Sequence, residues 1–319
     1  MSLVDTLGQD VVEETRAFNA ELERLRAAET PVYTLPPAVV RRARRNGAGP
    51  FPAPVYLPQA RDVAIAGRGE EIRLRVLAPE GEAAAGVYLH LHGGGWTLGA
   101  ADLQDPLLAA LAEATGLVVA SVDYRLAPEH PHPAGADDCE DAALWLLDGG
   151  ARELGAAGRL AVGGDSAGAH LAVLTLLRLR DVHGVSPRDT FSAVNLVAGC
   201  FDLSGTPSRR LWGLRDLILS SPTMEWFIGG LLPAVDLEGR RAPELSPLFA
   251  PLHDLPPALF TVGTLDPLLD DSLFMAERWR AAGNEAELRV WQDGVHGFGA
   301  FSLEIARRSH DDQFAFLRG

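Results

Sequence analysis

Two glycine-framed segments hold the residues whose types and spacing could do chemistry. Gly164-Asp165-Ser166-Ala167-Gly168 is a G-x-S-x-G pentapeptide directly after the apolar run 159–163, and its serine opens a helical pattern. Strand, sharp turn, serine, helix is the context of a nucleophile elbow, which exposes the hydroxyl at a strained turn. The flanking glycines keep side chains from clashing with neighbouring strands and the helix. By itself the pentapeptide could equally be a serine capping an ordinary helix. The second segment, Leu91-His92-Gly93-Gly94-Gly95-Trp96, follows the apolar run 86–91. Its glycines would let backbone amides approach a developing oxyanion, each donor lowering the barrier by ~3–4 kcal/mol. No G-K-[ST] follows, so a phosphate cradle is the weaker reading.

A serine hydroxyl needs a base to take its proton and an acid to orient that base. The order for such an elbow is Ser, then Asp/Glu, then His. Asp266 comes just after the apolar run 259–262, and His296 after the run 288–291 and a turn at 292–295. Both therefore sit past strand ends, the edge where open α/β sheets build sites. Asp202 is a competing acid. Asp270 and Asp271 read as opening the next helix. His170, one turn beyond Ser166, reads as a packed or supporting histidine. His92 reads as an anchor of its loop. His130 and His132 lack a third ligand at metal-ligand spacing. The amides of Ala167 and of the glycine run, Gly94 and Gly95, complete the expected oxyanion hole.

The elements that must position these residues follow an α/β rhythm. Strand-like runs at 61–65 and 71–77 read as an antiparallel edge pair. Runs at 87–91, 117–122, 160–163, 193–198, 258–262 and 286–291 alternate with helical stretches at 106–114, 138–147, 167–180, 271–282 and 303–316. Short, nearly continuous apolar strands between helices predict a mostly parallel sheet covered on both faces. An amphipathic helix is expected at about 9–27, then a proline-punctuated link to residue 54. Within the link, Arg41-Arg42-Ala43-Arg44-Arg45 reads as a solvated helix face. Residues 202–244 break the rhythm and read as a helical insertion. With the N-terminal helix it would form a cap.

The 319 residues suffice for one large α/β domain with a substantial core. The net charge of -15 disfavours a nucleic-acid partner. All 28 basic residues are arginine, which excludes Schiff-base and Walker-type lysine chemistry. No apolar run is long enough to span a membrane. The first residues do not read as a secretory signal. Two cysteines, Cys139 and Cys200, form no disulfide framework and fit a reducing, cytoplasmic setting.

The sequence resembles the hormone-sensitive-lipase-like (bacterial family IV) esterases of the α/β-hydrolase superfamily. The resemblance rests on 92–96, on Asp123-Tyr124-Arg125-Leu126-Ala127-Pro128-Glu129 with Pro133, Ala134 and Asp138, and on 164–168, 266–268 and 296–298. It implies an α/β-hydrolase fold with a helical cap and hydrolysis of carboxylic esters without cofactor or metal. It assigns Ser166, Asp266 and His296 to the triad and Gly94, Gly95 and Ala167 to the oxyanion hole. Asp165 and Glu129 look like residues that brace the site. Asp271 departs from the family, whose members often carry Glu there. The expected organisation is a cap segment over 1–55 and a catalytic domain over 56–319, with a cap insertion at about 203–243. Trp96, Trp212, Trp226 and Phe298 are candidate contacts for a short- to medium-chain ester. A small-molecule ester is the expected partner, with a homodimer left open. Amide or formamide hydrolysis by the same triad is the first alternative. The second is a non-catalytic receptor on the same scaffold.

Overall fold

The structure, a computed structural model, describes residues 4, 5, 7–81 and 84–319. Met1–Leu3, part of the stretch read for a signal, lie outside the described residues. In chain order the strands are β1 (Val4–Asp5), β2 (Arg61–Ala66), β3 (Glu71–Leu77), β4 (Ala84–Leu91), β5 (Leu117–Asp123), β6 (Ala156–Asp165), β7 (Phe191–Val197), β8 (Ala258–Leu265) and β9 (Ala286–Val295). The helices are α1 (Gln9–Ala28), α2 (Pro37–Arg45), α3 (Asp105–Thr115), α4 (Ala134–Trp145), α5 (Ala151–Glu153), α6 (Ala167–His183), α7 (Pro187–Thr190), α8 (Pro207–Trp212), α9 (Ser221–Leu231), α10 (Leu269–Ala281) and α11 (Glu304–Arg318).

Among the described residues the strands form one sheet in the order β1-β9-β8-β7-β6-β4-β5-β3-β2. The pairs from β1 to β5 are parallel. Only β3 runs against β5 and β2 against β3. Strand periodicity explains how the sheet is covered. Val87, Leu89 and Leu91 of β4 face a cluster with α4 and α6, through Cys139, Ala143, Ala169 and Val173. The intervening Tyr88 faces Leu108 and Leu111 of α3 and Leu317 of α11. Both faces of the central strands are thus apolar, as the continuous runs require.

Boundaries depart from expectation where pairing outruns propensity. β6 spans Ala156–Asp165 rather than 160–163, because β4 and β7 pair along it. Residues 292–295, read as a turn, belong to β9. The Gly263/Leu265 irregularity lets β8 follow β9 to Val295, and Asp293 N donates to Thr264 Oγ1 at 2.8 Å. α4 begins at Ala134, four residues before the expected start. β1, a two-residue strand on β9, carried no periodic signal.

Residues 198–257 leave the sheet after β7 and contain α8 and α9. α1 packs beside β9, where Asn19 Nδ2 donates to Asp293 O at 2.7 Å. It reaches the insertion through Arg26–Asp216 at 2.9 Å and Arg215–Glu23 at 2.9 Å. No helix among the described residues is long and apolar enough to cross a membrane.

Candidate active site

β6 runs straight into Ser166, which begins α6 with φ 56° and ψ -114°. This left-handed region is costly for a non-glycine residue and persists only where the surroundings impose it. Here they do. Ser166 N donates to Val197 O at 2.8 Å, tying the turn to the end of β7. A Cβ on Gly164 or Gly168 would fall 2.0 or 1.8 Å from Leu91 O, so only glycine lets β4 pass this close.

His296 follows β9 and Asp266 follows β8, both at the edge where β6 delivers Ser166. His296 Nε2 lies 3.0 Å from Ser166 Oγ, and Nδ1 lies 2.8 Å from Asp266 Oδ2. Asp266 Oδ1 accepts Leu268 N at 2.8 Å, which fixes the carboxylate plane. With Nδ1–H donating to the carboxylate, Nε2 is free to accept the serine proton; this tautomer is assigned from the partners. Burial depresses the His296 pKa, yet the Asp266 charge and hydrogen bond, with a smaller contribution from Asp165, outweigh it and hold it above the ordinary value. Both side chains are buried.

The glycine run forms the loop after β4. Gly94 has φ +116°, and its carbonyl accepts Thr97 N at 3.1 Å and Leu98 N at 2.8 Å. The amides of Gly94 and Gly95 donate to no protein group among the described residues. Ala167 is the first residue of α6, where amides have no intrahelical acceptor. His92 anchors the loop: its Nδ1 is 2.9 Å from Gly93 O, and its ring stacks on Tyr124 at 4.1 Å. Burial lowers its pKa to about 4, so it stays neutral. Tyr124 Oη donates to His92 O at 2.7 Å, and Ala127 N to Trp96 O at 2.9 Å. Arg125 next to them is clamped by Asp138 at 2.7 Å. The 123–129 motif is therefore a bracket behind the glycine loop.

Asp165 accepts Gln104 Nε2 at 3.2 Å and faces His90 Nε2 at 3.7 Å. Burial would raise its pKa, but the His90 and Gln104 contacts and the neighbouring histidine charges leave it lowered. Glu129 pairs with Arg41 at 2.7 Å. This corrects the reading of 41–45 as a solvated face at Arg41 and Arg44, which are partly buried, while Arg42 and Arg45 are exposed as expected. Arg41 also donates to the carbonyls of Thr97 and Ala127, and Arg45 pairs with Asp102 at 3.2 Å.

The competitors go elsewhere. Asp202 accepts from the Ser204 amide and hydroxyl at 2.7 and 2.6 Å. His170 accepts Trp96 Nε1 at 3.2 Å, and its Nε2 is 2.8 Å from Leu245 O. Asp270 and Asp271 lie in the first turn of α10, as expected, but their carboxylates secure the insertion instead of merely starting a helix. Asp270 accepts Ser208 N. Asp271, fully buried, accepts the amides of Phe201 and Asp202 and the Thr206 hydroxyl at 2.7, 2.9 and 2.6 Å. Burial outweighs these bonds and raises its pKa to about 7.

A cavity of about 540 Å³ opens on Ser166 and His296. Of the four aromatic candidates, Trp96 and Phe298 line it. Trp212 and Trp226 do not: the Trp212 indole N–H donates to Arg215 O and Leu219 O, and Trp226 packs on Phe227 at 5.1 Å. The insertion reaches the cavity instead through Leu219, Thr223, Met224 and Phe227. Thr223, Met224 and Phe227 share a face of α9 at i, i+3, i+4 spacing, a usable signal, and Trp226 at the edge of that face packs on Phe227 instead. Phe51 and Arg44 from the N-terminal link also line the cavity and had no motif to mark them.

Residues 88–300 match the sequence profile of a family described as α/β hydrolase fold. The carboxylic ester hydrolase LipN of Mycobacterium tuberculosis is 37% identical over 251 residues, covering 78% of this chain and 66% of that protein. Carboxylesterase NlhH of the same species is 34% identical over 300 residues, covering 93% and 85%. A solved hyperthermophilic esterase from the archaeon Pyrobaculum calidifontis superposes with a TM-score of 0.84 at 32% identity, covering 95% of this chain and 97% of its own.

Proposed function

The chain belongs to the α/β-hydrolase-fold family, in its hormone-sensitive-lipase-like branch, and from that premise we propose that it is a carboxylesterase working through Ser166, His296 and Asp266. The observation that carries the reading is the continuous relay Ser166 Oγ–His296 Nε2 at 3.0 Å and His296 Nδ1–Asp266 Oδ2 at 2.8 Å, at the floor of the cavity. His296 takes the serine proton as Ser166 Oγ attacks the ester carbonyl. Asp266 holds the imidazole and stabilises the imidazolium. The oxyanion that forms is met by the unpartnered amides of Gly94 and Gly95 and by Ala167. The imidazolium then protonates the departing alcohol. A water activated by His296 attacks the acyl-enzyme and frees the carboxylic acid. No step calls for a metal or cofactor.

Residues 1–55 and about 203–243 are read as the cap over a catalytic domain spanning 56–319. The shared lining of the cavity by Val40, Phe51, Met224 and Phe227 supports this. Its bounded volume and apolar wall favour short- to medium-chain acyl groups. Both cysteines are buried and free, which fits a reducing compartment such as the cytoplasm. The presence of His296 within hydrogen-bond reach of Ser166 weighs against the non-catalytic receptor reading.

Turnover of 4-nitrophenyl esters from acetate to dodecanoate, beside Ser166→Ala, tests the proposal. The expected result is a maximum at short to medium chains and a loss on the order of 10⁴–10⁶ in kcat for the variant. Equal turnover by the variant would sink the Ser166 assignment, and a preference for matched amides would overturn the ester reading.

A further inference from the structure

The cavity wall holds two arginines and two carboxylates beside the relay, and their pairing is uneven. Arg26 is bound to Glu29 and Asp216, and Asp165 to Gln104 with His90 close by. The Arg44 guanidinium has no hydrogen-bond acceptor and no carboxylate within ion-pair distance among the described residues. Its guanidinium lies over the Phe51 ring, 4.7 Å from the centroid. Phe51 in turn stacks on Phe301 at 5.7 Å, and a Cβ on Gly297 would lie 3.2 Å from its ring. The aromatic shelf thus holds Arg44 over the segment that carries His296. Arg41 and Arg45, on the same helix, have taken protein carboxylates. Arg44 alone of these three is turned to the cavity and left unpaired.

An arginine stays charged at any ordinary pH, and its planar fork is matched to carboxylate or phosphate oxygens. Burial lowers the Arg44 pKa, and the Asp165 charge acting through space only partly opposes this. A half-buried cation with five donors and no protein acceptor presents its N–H groups to the cavity. Stacking on Phe51 fixes its position and leaves its N–H edge open.

Building on the esterase reading, we propose that Arg44 is a specificity-determining residue that receives an oxyanion carried by the ester substrate, so that the preferred substrates are acidic esters bearing a carboxylate several bonds from the scissile carbonyl. The anion accepts from the guanidinium while the apolar wall takes the connecting methylenes. The acidic protein surface would repel such substrates at long range, so the preference must come from this one contact.

Two matched pairs test the proposal. Mono-4-nitrophenyl adipate against 4-nitrophenyl hexanoate places the charge on the acyl side. 4-(Butanoyloxy)benzoate against phenyl butanoate places it on the alcohol side. For each pair the charged-to-neutral ratio of kcat/KM is compared in the parent, Arg44→Met, Arg44→Gln and Arg44→Lys. In at least one pair the ratio should fall about tenfold or more in the Met and Gln variants, as expected for a lost charged hydrogen bond. Lys should restore part of it. Raising salt to 1 M should narrow the gap between the parent's ratio and the Met variant's. Equal ratios in the parent and both neutral variants, in both pairs, overturn the proposal. Binding of the same esters to Ser166→Ala with and without Arg44→Met, read by calorimetry, needs no turnover. Tighter binding of the charged member only with Arg44 present supports the inference even if hydrolysis fails, whereas absent turnover of every ester by the parent counts against the esterase reading alone.

Discussion

At the carboxyl edge of the sheet, Ser166, Asp266 and His296 are delivered by three strand ends whose register is set by the sheet's own pairing. Opposite them, Val40, Arg44 and Phe51 come from a proline-rich link and Met224 and Phe227 from an insertion. That wall is joined to the sheet by side-chain bonds such as Arg41–Glu129 and the Asp271 contacts. The difference teaches that the placement of the relay is a property of backbone pairing, whereas the facing wall is held in place by side chains. A strand end cannot shift by a fraction of a residue, since a slip of one position turns every side chain to the other face. A helix held by a few polar contacts can exchange residues without that penalty.

The sharpest way to break the comparison is at the relay. Asp266→Asn should lower kcat by about 10⁴-fold, because the amide can hold the wrong imidazole tautomer. The pH profile carries a second sign. On the proposed mechanism hydrolysis needs neutral His296, so kcat/KM should fall as pH drops through a pKa above the ordinary ~6.5. Without the Asp266 charge, burial dominates, the pKa falls, and the acid limb should move to lower pH. An unmoved limb would show that Asp266 does not set the base.

Gly94→Ala should come next, with kcat reduced by about 10²–10³-fold. The backbone there is at φ +116°, and an added Cβ would sit 2.4 Å from Gly99 N, so the loop must move its amides. Kinetics on one short ester, with circular dichroism to verify folding, suffices. A rate near the parent's would remove Gly94 from the oxyanion site.

Asp271 probes the joint between the two regions. Asp271→Ala should destabilise the fold by about 2–4 kcal/mol in urea unfolding, by leaving two buried amides without an acceptor. Asp271→Asn keeps the shape and removes the titration. The folded carboxyl has a raised pKa, about 7, so the native state holds its proton longer than the unfolded chain. The parent should therefore lose stability from this group as pH rises from about 4 to 7, and the Asn variant should gain on it across that window. A pH-independent gap would refute the buried carboxyl's role.

The smallest effect separates neighbours on α9. Phe227→Ala should change the hexanoate-to-acetate ratio of kcat/KM severalfold, because its ring lines the cavity. Trp226→Ala should change that ratio by less than about twofold, since one extra methylene in an apolar pocket is itself worth ~1–3 kcal/mol and Trp226 touches none of that space. Equal effects would erase the distinction drawn along this helix.

The same contrast explains what could be read from the chain. Ser166, Asp266, His296 and the glycine run were legible because strand ends and tight turns demand particular residues in a particular order. The parallel sheet was legible because its strands are apolar on both faces. Strand ends at 292–295 were not, because an irregular pairing absorbed a stretch that looked like a turn. Arg41 looked solvated, because nothing local announces that Glu129 lies across from it. Trp212 and Trp226 drew attention as large aromatics, yet helix phase directs Met224 and Phe227, not Trp226, inward.

Arg41 makes four hydrogen bonds, to Thr97 O at 2.6 Å, Ala127 O at 2.7 Å and the two Glu129 oxygens at 3.0 and 2.7 Å. All four acceptors belong to the glycine loop and its bracket, while the donor rides on α2. Any movement that lifts α2 must release those acceptors together. The seat of α2 and the shape of the glycine loop are thus one coupled arrangement, so a change that disturbs either is felt by both.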